Sequence, residues 1–350
     1  MNNREARERR NRKIRDMGIS ILILVIGLVA VLAVLQYRRN KTLAATRREN
    51  SQTMAEAEPD KAYSDLLEYD GKTYRRNQHV KAILCVGIDR HREFDHYNTT
   101  GFAGQADAMF LIAQDTARNQ VKILTIPRDT MTEITLTDIQ GHDLGKEMQH
   151  LNLAFAYGDG QNRSCEYMVD AAEDFLFGMK IDHYLAMNMS AISVLNDAVG
   201  GVTVTIPLDG METRDPAFVK GSTLTLHGEQ AEKFVRFRDT KIDFSAITRM
   251  SLQKQYVMQF EKAAQAASKV SPTVVSDMLD QIQPDLLTDM NKAEYLKIAL
   301  DVMQNQTLLD GDFLTIPGES VTTDLYDEFH PDLAGTEQII LDLFYREETQ

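Results

Sequence analysis

The chain is predicted to be an α/β protein: a layered α-β-α domain with a central mixed sheet, preceded by one N-terminal transmembrane helix. Three observations lead there. Residues 17–37 form 21 consecutive positions without a charge. From His79 onward, short apolar runs alternate with helical periodicities, the pattern of a sheet covered by helices. A single apolar stripe then runs through Thr248–Ser268.

Met1–Asp16 carries seven Lys or Arg against Glu5, Glu8 and Asp16 and is assigned as a basic cytoplasmic tail, residues 1–16. The uncharged run Met17–Tyr37 is long enough to cross roughly 30 Å of hydrocarbon as a helix. It exceeds the apolar core of an export signal and no A-x-A step follows it, so an uncleaved anchor is expected. Seven cations precede it and five follow, Arg38, Arg39, Lys41, Arg47 and Arg48. That excess places the N-terminus inside and the C-terminal domain outside the cell membrane. Residues 38–77 are polar and without sustained periodicity, and are taken as a stalk with one helical stretch near Ala62–Leu67. Residues 78–350 form the external domain.

Within it, His79–Ile88 suits a buried strand ending in Gly87 and Asp89. Ala108–Gln114 and Val121–Pro127, joined by DTARNQ, suit a pair of strands. Ser164–Phe177 has helical spacing, Ile181–Met187 is strand-like, and Ser190 opens a short helix with a capping hydroxyl. Gly200 and Gly201 break it before the strand Val202–Ile206; Thr223–Leu226 forms another strand and Gly228–Val235 a helix. In Thr248–Ser268, Leu252, Tyr256, Phe260, Ala263 and Ala267 recur at helical spacing, with Arg249 and Gln253 as neighbours beside that stripe. Both are placed in the first turns, whose free N–H groups favour an anion. Helices at Thr273–Ile282, Lys292–Gln304 and Leu333–Tyr345 and a strand at Phe313–Ile316 complete the chain.

Beyond Arg48 the chain holds 26 Lys and Arg against 49 Asp and Glu, a net charge of −23. Such a surface argues against nucleic acid, whose binding draws on basic residues. Cys85 and Cys165 are the only cysteines, too few for a disulfide framework and without metal-ligand spacing.

Against that acidic background eight polar residues mark a phosphate-ester site: Asp89, Asp107, Arg128, Asp129, Arg236, Arg238, Arg249 and Gln253. Arg offers planar, bidentate donors that suit phosphate oxygens. Arg236 and Arg238 share a face only if VRFRD is extended, so the helix is expected to end there. Asp89 and Asp107 adjoin strand ends, where α/β proteins place ligands, and two carboxylates suit Mg²⁺. Taken singly, each has an ordinary alternative: a turn aspartate, a local Arg-Asp ion pair, a solvated face.

IPRDTM, NLAFAYGDG, DAVGGV followed by VTIP, and GSTLTLHGEQAEKFVRFRD followed by RMSLQKQ resemble, in order and spacing, the LytR-CpsA-Psr proteins. The resemblance covers core motifs over residues 81–264; residues 265–350 match less sharply and are taken as a C-terminal extension of the same catalytic domain. It implies a phosphotransferase that moves a glycopolymer (teichoic acid, capsule or related polysaccharide) from an undecaprenyl-diphosphate carrier to peptidoglycan, forming a phosphodiester. By matching motif, Arg128, Arg236, Arg238, Arg249 and Gln253 would hold the diphosphate. Asp89 and Asp107 would hold Mg²⁺, and Asp107 or Asp129 would position or deprotonate the acceptor hydroxyl. An apolar cavity for the polyprenyl chain is implied as well, drawing on Ser164–Ala198. Two positions depart from the pattern: Gln105 and Leu252 stand where many members carry arginine. A polyprenyl-diphosphate hydrolase and a non-catalytic, membrane-tethered envelope regulator are the alternatives, separable by product identity and by turnover.

Overall fold

The computed structural model describes residues 65–90, 94, 100–238, 245–305, 308–324 and 326–348. The basic tail, the 17–37 span and most of the stalk lie outside them. Among the described residues no helix is long and apolar enough to cross a membrane.

The chain opens with the hairpin β1 (Leu66–Tyr69) and β2 (Lys72–Arg76), followed by β3 (Val80–Ile88), β4 (Ala106–Asp115) and β5 (Gln120–Thr125). A ribbon of β6 (Met131–Thr137) and β7 (Asp143–His150) precedes helix α1 (Asn162–Phe175), strand β8 (His183–Asn188) and helix α2 (Ser190–Ala198). Next come β9 (Val202–Thr205), β10 (Thr223–Leu226), α3 (Glu229–Val235), α4 (Ser245–Val270) and α5 (Val274–Gln281). The chain ends with β11 (Leu286–Thr288), α6 (Lys292–Asn305), β12 (Phe313–Thr315), β13 (Gly318–Thr322), β14 (Asp327–Pro331), α7 (Leu333–Phe344) and β15 (Tyr345–Glu347).

The central sheet has six strands in the order β11-β8-β3-β4-β5-β12. It is mixed: β3 pairs parallel with β8 and antiparallel with β4, while β5 pairs antiparallel with β4 and parallel with β12. Alternation along the strands divides the core. Ala82, Leu84 and Val86 of β3 and Leu111 and Ala113 of β4 face a cluster with Met168 and Phe175 of α1 and Ile340, Leu341 and Phe344 of α7. Ile83 and Cys85 turn to the opposite face with Tyr295 of α6; there Val121 and Ile123 meet Val257 and Met258 of α4. Period-two patterning with both faces apolar thus produces the three layers. A further core joins β9, β10, α3 and α5 to α4 through Val202, Leu226, Phe234, Met278, Leu252 and Tyr256.

The expected stalk ends earlier than 77. β1 and β2 join β15 in a three-stranded antiparallel sheet, with Leu67, Tyr69 and Tyr74 packed on the main core. Arg76, buried, donates to Asp182 at 3.3 Å and lies over the Phe344 ring at 4.9 Å. The helix expected near Ala62–Leu67 is therefore replaced, from Leu66, by a strand. Its turn, Asp70-Gly71, takes φ of 48° and 71°, the left-handed pair of a tight hairpin. A second correction concerns Ser190: the N-cap of α2 is Met189, with no side-chain cap bond, and the Ser190 hydroxyl faces Asn188 Oδ1 and, at 2.8 Å, Asp285 Oδ1.

Candidate functional site

The site begins at a break in the β3–β4 ladder. Gly87 pairs with Ala108 but Ile88 with Ala106, so Asp107 falls in a bulge, a device that re-aims side chains. Ala106 and Met109 point into the main core, while Asp107 and Ala108 both line a cavity on the other face. Asp89 follows directly on β3, its N–H donating to the Gln105 carbonyl at 2.8 Å. Asp89 and Asp107 thus occupy adjoining strand ends.

Asp107, 7% exposed, is held by two guanidiniums. Arg128 Nη1 donates to its Oδ1, and Arg249 donates from Nη1 to Oδ2 at 3.0 Å and from Nη2 to the backbone oxygen at 3.1 Å. Arg128 also donates from Nε to Asp129 Oδ1 at 2.9 Å and from Nη2 to Gln105 Oε1 at 3.1 Å. Its loop is fixed by Thr130 Oγ1 donating to the Pro127 carbonyl at 2.6 Å and by Phe329 N–H donating to the Asp129 carbonyl at 2.8 Å. Arg249 comes from the second turn of α4. Burial pushes its pKa below the ordinary value, Asp107 offsetting this and Arg128 and Arg238 adding to it. Arg236 caps the C-terminus of α3 and donates to Asp89 at 2.7 Å and to Glu232 at 2.9 Å. Burial opposes its charge, yet Glu232 and Asp89 raise its pKa above the usual value.

Two hollows meet at this cluster. The first is an apolar cavity of about 250 Å³ between the sheet and helices α2 and α4, with Cys85, Leu185, Leu195, Tyr256 and Phe260 in its wall and Asp107, Arg236, Arg249 and Gln253 as its polar part. Burial raises the Cys85 thiol to about 12, so it is an inert wall group rather than a nucleophile. The second is a polar cleft of about 510 Å³ lined by Gln105, Arg128, Asp129, His150, Asn152, Arg238, Tyr326 and Asp327, among others.

Seven of the eight sequence-chosen residues line these two hollows and Asp89 joins them through its bond to Arg236, with three adjustments. Arg236 and Arg238 separate, the first on the cavity and the second on the cleft, where it donates to Asp327 at 3.2 Å. VRFRD leaves its helix as expected, but Phe237 anchors between the two arginines in the α4 core. Gln253 lies eight residues into α4, about 12 Å along its axis, beyond reach of the free N–H groups of the first turn. Of the apolar residues in Ser164–Ala198, Leu185, Met187, Met189, Ile192 and Leu195 line the cavity, whereas Ala186 of β8 and Met168, Ala171 and Phe175 of α1 fill the opposite face.

The departures acquire physical meaning. Leu252 is 1% exposed in the α4 core, so no guanidinium is needed there for packing. Gln105 supplies an acceptor to Arg128 and, at 3.4 Å, to Asn152 Nδ2. Sequence reasoning gave no role to His150, Asn152, Glu232 or Asp327. Glu232 was accessible as the residue four before Arg236 on a helix; Asn152 lies within NLAFAYGDG; the other two are brought in by long-range pairing.

His150, half-buried, has its pKa lowered by burial, with Asp129 and Glu328 opposing and Arg128 assisting. A depressed folded-state pKa means the unfolded chain takes up the proton first as pH falls. Stability is therefore expected to be full above about pH 6.5 and to decline below it, and His150→Gln to flatten that acid limb in a chemical-denaturation series.

Four arginines and three aspartates thus gather at the strand ends, between an apolar cavity and a polar cleft. The profile of the LytR_cpsA_psr family matches residues 38–340, and the chain belongs to that family. It is 28% identical over 312 residues to the polyisoprenyl-teichoic acid–peptidoglycan teichoic acid transferase TagU of Bacillus anthracis, covering 87% of this chain and 89% of that protein. Against the transferase of the same name from Halalkalibacterium halodurans it is 31% identical over 211 residues, and the match spans 60% of each chain. The fold matches the crystal structure of B. subtilis TagV with a TM-score of 0.57 at 22% identity, over 76% of this chain and 96% of that one.

Proposed function

We propose that this chain is a membrane-anchored phosphotransferase that moves a glycopolymer from a polyprenyl-diphosphate carrier to peptidoglycan on the outer side of the cell membrane. The observation that carries the reading is the junction itself. A guanidinium–carboxylate network closes an apolar cavity on one side and borders a polar cleft on the other, as a lipid-linked donor and a hydrated acceptor require. At about 250 Å³ the cavity is slightly below the range of whole small-molecule sites, so it suits the carrier segment next to the diphosphate. The likeness to TagU of B. anthracis supports the transferase class.

Before substrate binds, Asp107 and Asp129 together balance Arg128 and Arg249, and Asp89 and Glu232 pair with Arg236. A diphosphate entering between them replaces carboxylate by phosphate as the guanidinium partner, so the cations are already aimed where charge must be held during transfer. No protein nucleophile is required: an acceptor hydroxyl attacks the saccharide-linked phosphorus and polyprenyl phosphate leaves. Asp129, which lines the cleft, would orient that hydroxyl and take up its proton as the phosphodiester forms.

Asp89 and Asp107 also fit a Mg²⁺ site in donor chemistry, since that ion takes one or two carboxylates and completes its shell with water and phosphate oxygens. Among the described residues no group of three or more metal-ligating side chains gathers, which that mode of binding does not need. When bound, the ion would neutralise charge on the diphosphate.

The full chain in lipid vesicles, given Mg²⁺, a polyprenyl-diphosphate-linked saccharide and peptidoglycan fragments, is expected to form a saccharide-phosphate-glycan adduct detectable by mass spectrometry. Release of saccharide phosphate without the adduct would instead identify a hydrolase. Filling the cavity tests the lipid's place in it. Leu195→Trp is expected to weaken binding of the lipid-linked donor by roughly tenfold or more, an amount in keeping with loss of one large apolar contact, while a short-chain soluble analogue binds as before. Equal losses for both ligands would place the carrier elsewhere.

A further inference from the structure

The apolar cavity has a direction. Its roof is α4, where Arg249 and Gln253 stand at one end and Tyr256, Val257 and Phe260 follow, a run of roughly 16 Å along the helix. Its floor is two rows of the central sheet. The row beside Asp107 is Met187, Gly87 and Ala108, and the next is Leu185, Cys85 and Phe110, each in register across β8, β3 and β4. Beyond them Ile83 and Ile112 pack with Tyr295 of α6, which ends the slot. Arg249 bonds the backbone oxygen of Asp107, the residue before Ala108, so the polar head of the slot lies at the first row and its apolar end at the second.

Two observations place a ligand's head group over that first row. Arg249 Nε is buried without a hydrogen-bond partner. Gln253, 8% exposed on the cavity wall, makes no side-chain hydrogen bond among the described residues. Buried polar groups are paired in the great majority of cases, so both mark where ligand oxygens complete the set. The floor beside them is bare. Gly87 has no left-handed backbone to require a glycine, and glycine in a strand interior weakens the strand. A Cβ added there would meet the Ala108 Cβ at 3.3 Å, so the pair carries a single methyl group between the two strands. Met187 on one side and Phe110 behind are large, which makes the pair a neck. At about 250 Å³ the cavity is below the roughly 300 Å³ at which whole small-molecule sites begin. That is room for one hydrocarbon chain and not for two side by side.

We propose that Gly87 and Ala108 are specificity-determining residues, a one-chain neck that admits phosphate esters of a single hydrocarbon chain and turns away two-chain phospholipids. The proposal rests on the reading of the cavity as the carrier's site and names what selects the carrier there. The phosphate at the head takes the Arg249 Nε–H and the Gln253 amide N–H, and the first segment of chain passes over Gly87 and Ala108 toward Phe260. Such selection matters at a membrane, where anionic two-chain lipids offer phosphate to the same arginines. A clash at the neck rejects them although their head group fits.

The full chain in detergent with Mg²⁺ is titrated calorimetrically with inorganic pyrophosphate, farnesyl diphosphate and dioctanoylglycerol pyrophosphate. The native protein is expected to bind the farnesyl ester roughly tenfold or more tightly than pyrophosphate, and the two-chain ester no more tightly than pyrophosphate. Ala108→Val adds two methyl groups to the neck on a strand that favours β-branched residues. It is expected to weaken the farnesyl ester by roughly tenfold and to leave pyrophosphate affinity unchanged. The comparison of ligands on the native protein needs no variant, and decides the matter where Ala108→Val fails to fold. The proposal is overturned if the farnesyl chain adds no affinity, if the two-chain ester binds as tightly as the farnesyl ester, or if Ala108→Val weakens pyrophosphate equally or weakens neither. Its failure and that of the transferase reading are distinguishable. Selective binding of the farnesyl ester, with no adduct formed from the lipid-linked saccharide, sinks the transferase and keeps the neck; adduct formation by a protein that binds both esters alike does the reverse.

Discussion

Arg249→Ala is expected to lower transfer by about 10²–10³-fold, the loss seen when one preorganised donor to developing charge is removed. Arg249 is 6% exposed and its guanidinium makes two bonds to Asp107, one to the carboxylate and one to the backbone. A lysine reaches the same place with a single charged head and cannot span both acceptors, so Arg249→Lys is expected to keep most of the fold and little of the rate. Steady-state kinetics with thermal melts of both variants check this. Near-native turnover in Arg249→Lys would mean that only charge matters at the position.

Asp107→Ala is expected to act first on stability. It leaves Arg128 and Arg249 facing each other with no anion between them, and a buried charge stripped of its partner costs about 3–5 kcal/mol. For a domain of this size that is a fall in melting temperature on the order of 10 °C. Inorganic pyrophosphate should then raise the melting temperature of the variant more than that of the native protein, because the anion restores what the carboxylate supplied. An equal rise in both would show that the arginines do not receive phosphate. Transfer is expected to be abolished in the variant, since Asp107 also forms half of the carboxylate pair suited to Mg²⁺.

The layers of the fold were legible because both faces of β3 and β4 are apolar, and because Leu252, Tyr256 and Phe260 hold one stripe along α4. The hairpin β1–β2 was missed although Tyr69-Asp70-Gly71-Lys72 carries a strong turn signal; charged flanks at Glu68, Lys72, Arg75 and Arg76 masked its short alternation. The β6–β7 ribbon was not foreseen either, since its second strand is exposed along most of its length and so lacks an apolar pattern.

For the site, residue type was the usable signal. Arginines in an acidic chain stand out, and the family motifs supplied their grouping. Their division between cavity and cleft was not legible, because it depends on a β-bulge at Asp107 and on Phe237 seating between Arg236 and Arg238. His150 came into view only as part of the cleft wall. Glu232 could have been found from helical spacing alone, whereas Asp327 reaches Arg238 from a strand 89 positions away.

The most direct test follows the fate of phosphorus. A donor labelled at the saccharide-linked phosphorus is given to the full chain in vesicles with Mg²⁺ and peptidoglycan, and the label is located after separation of lipid, soluble and glycan fractions. Transfer puts the label in the glycan fraction, in step with unlabelled polyprenyl phosphate in the lipid fraction. Label released as soluble saccharide phosphate, or retained wholly on the lipid, would contradict it.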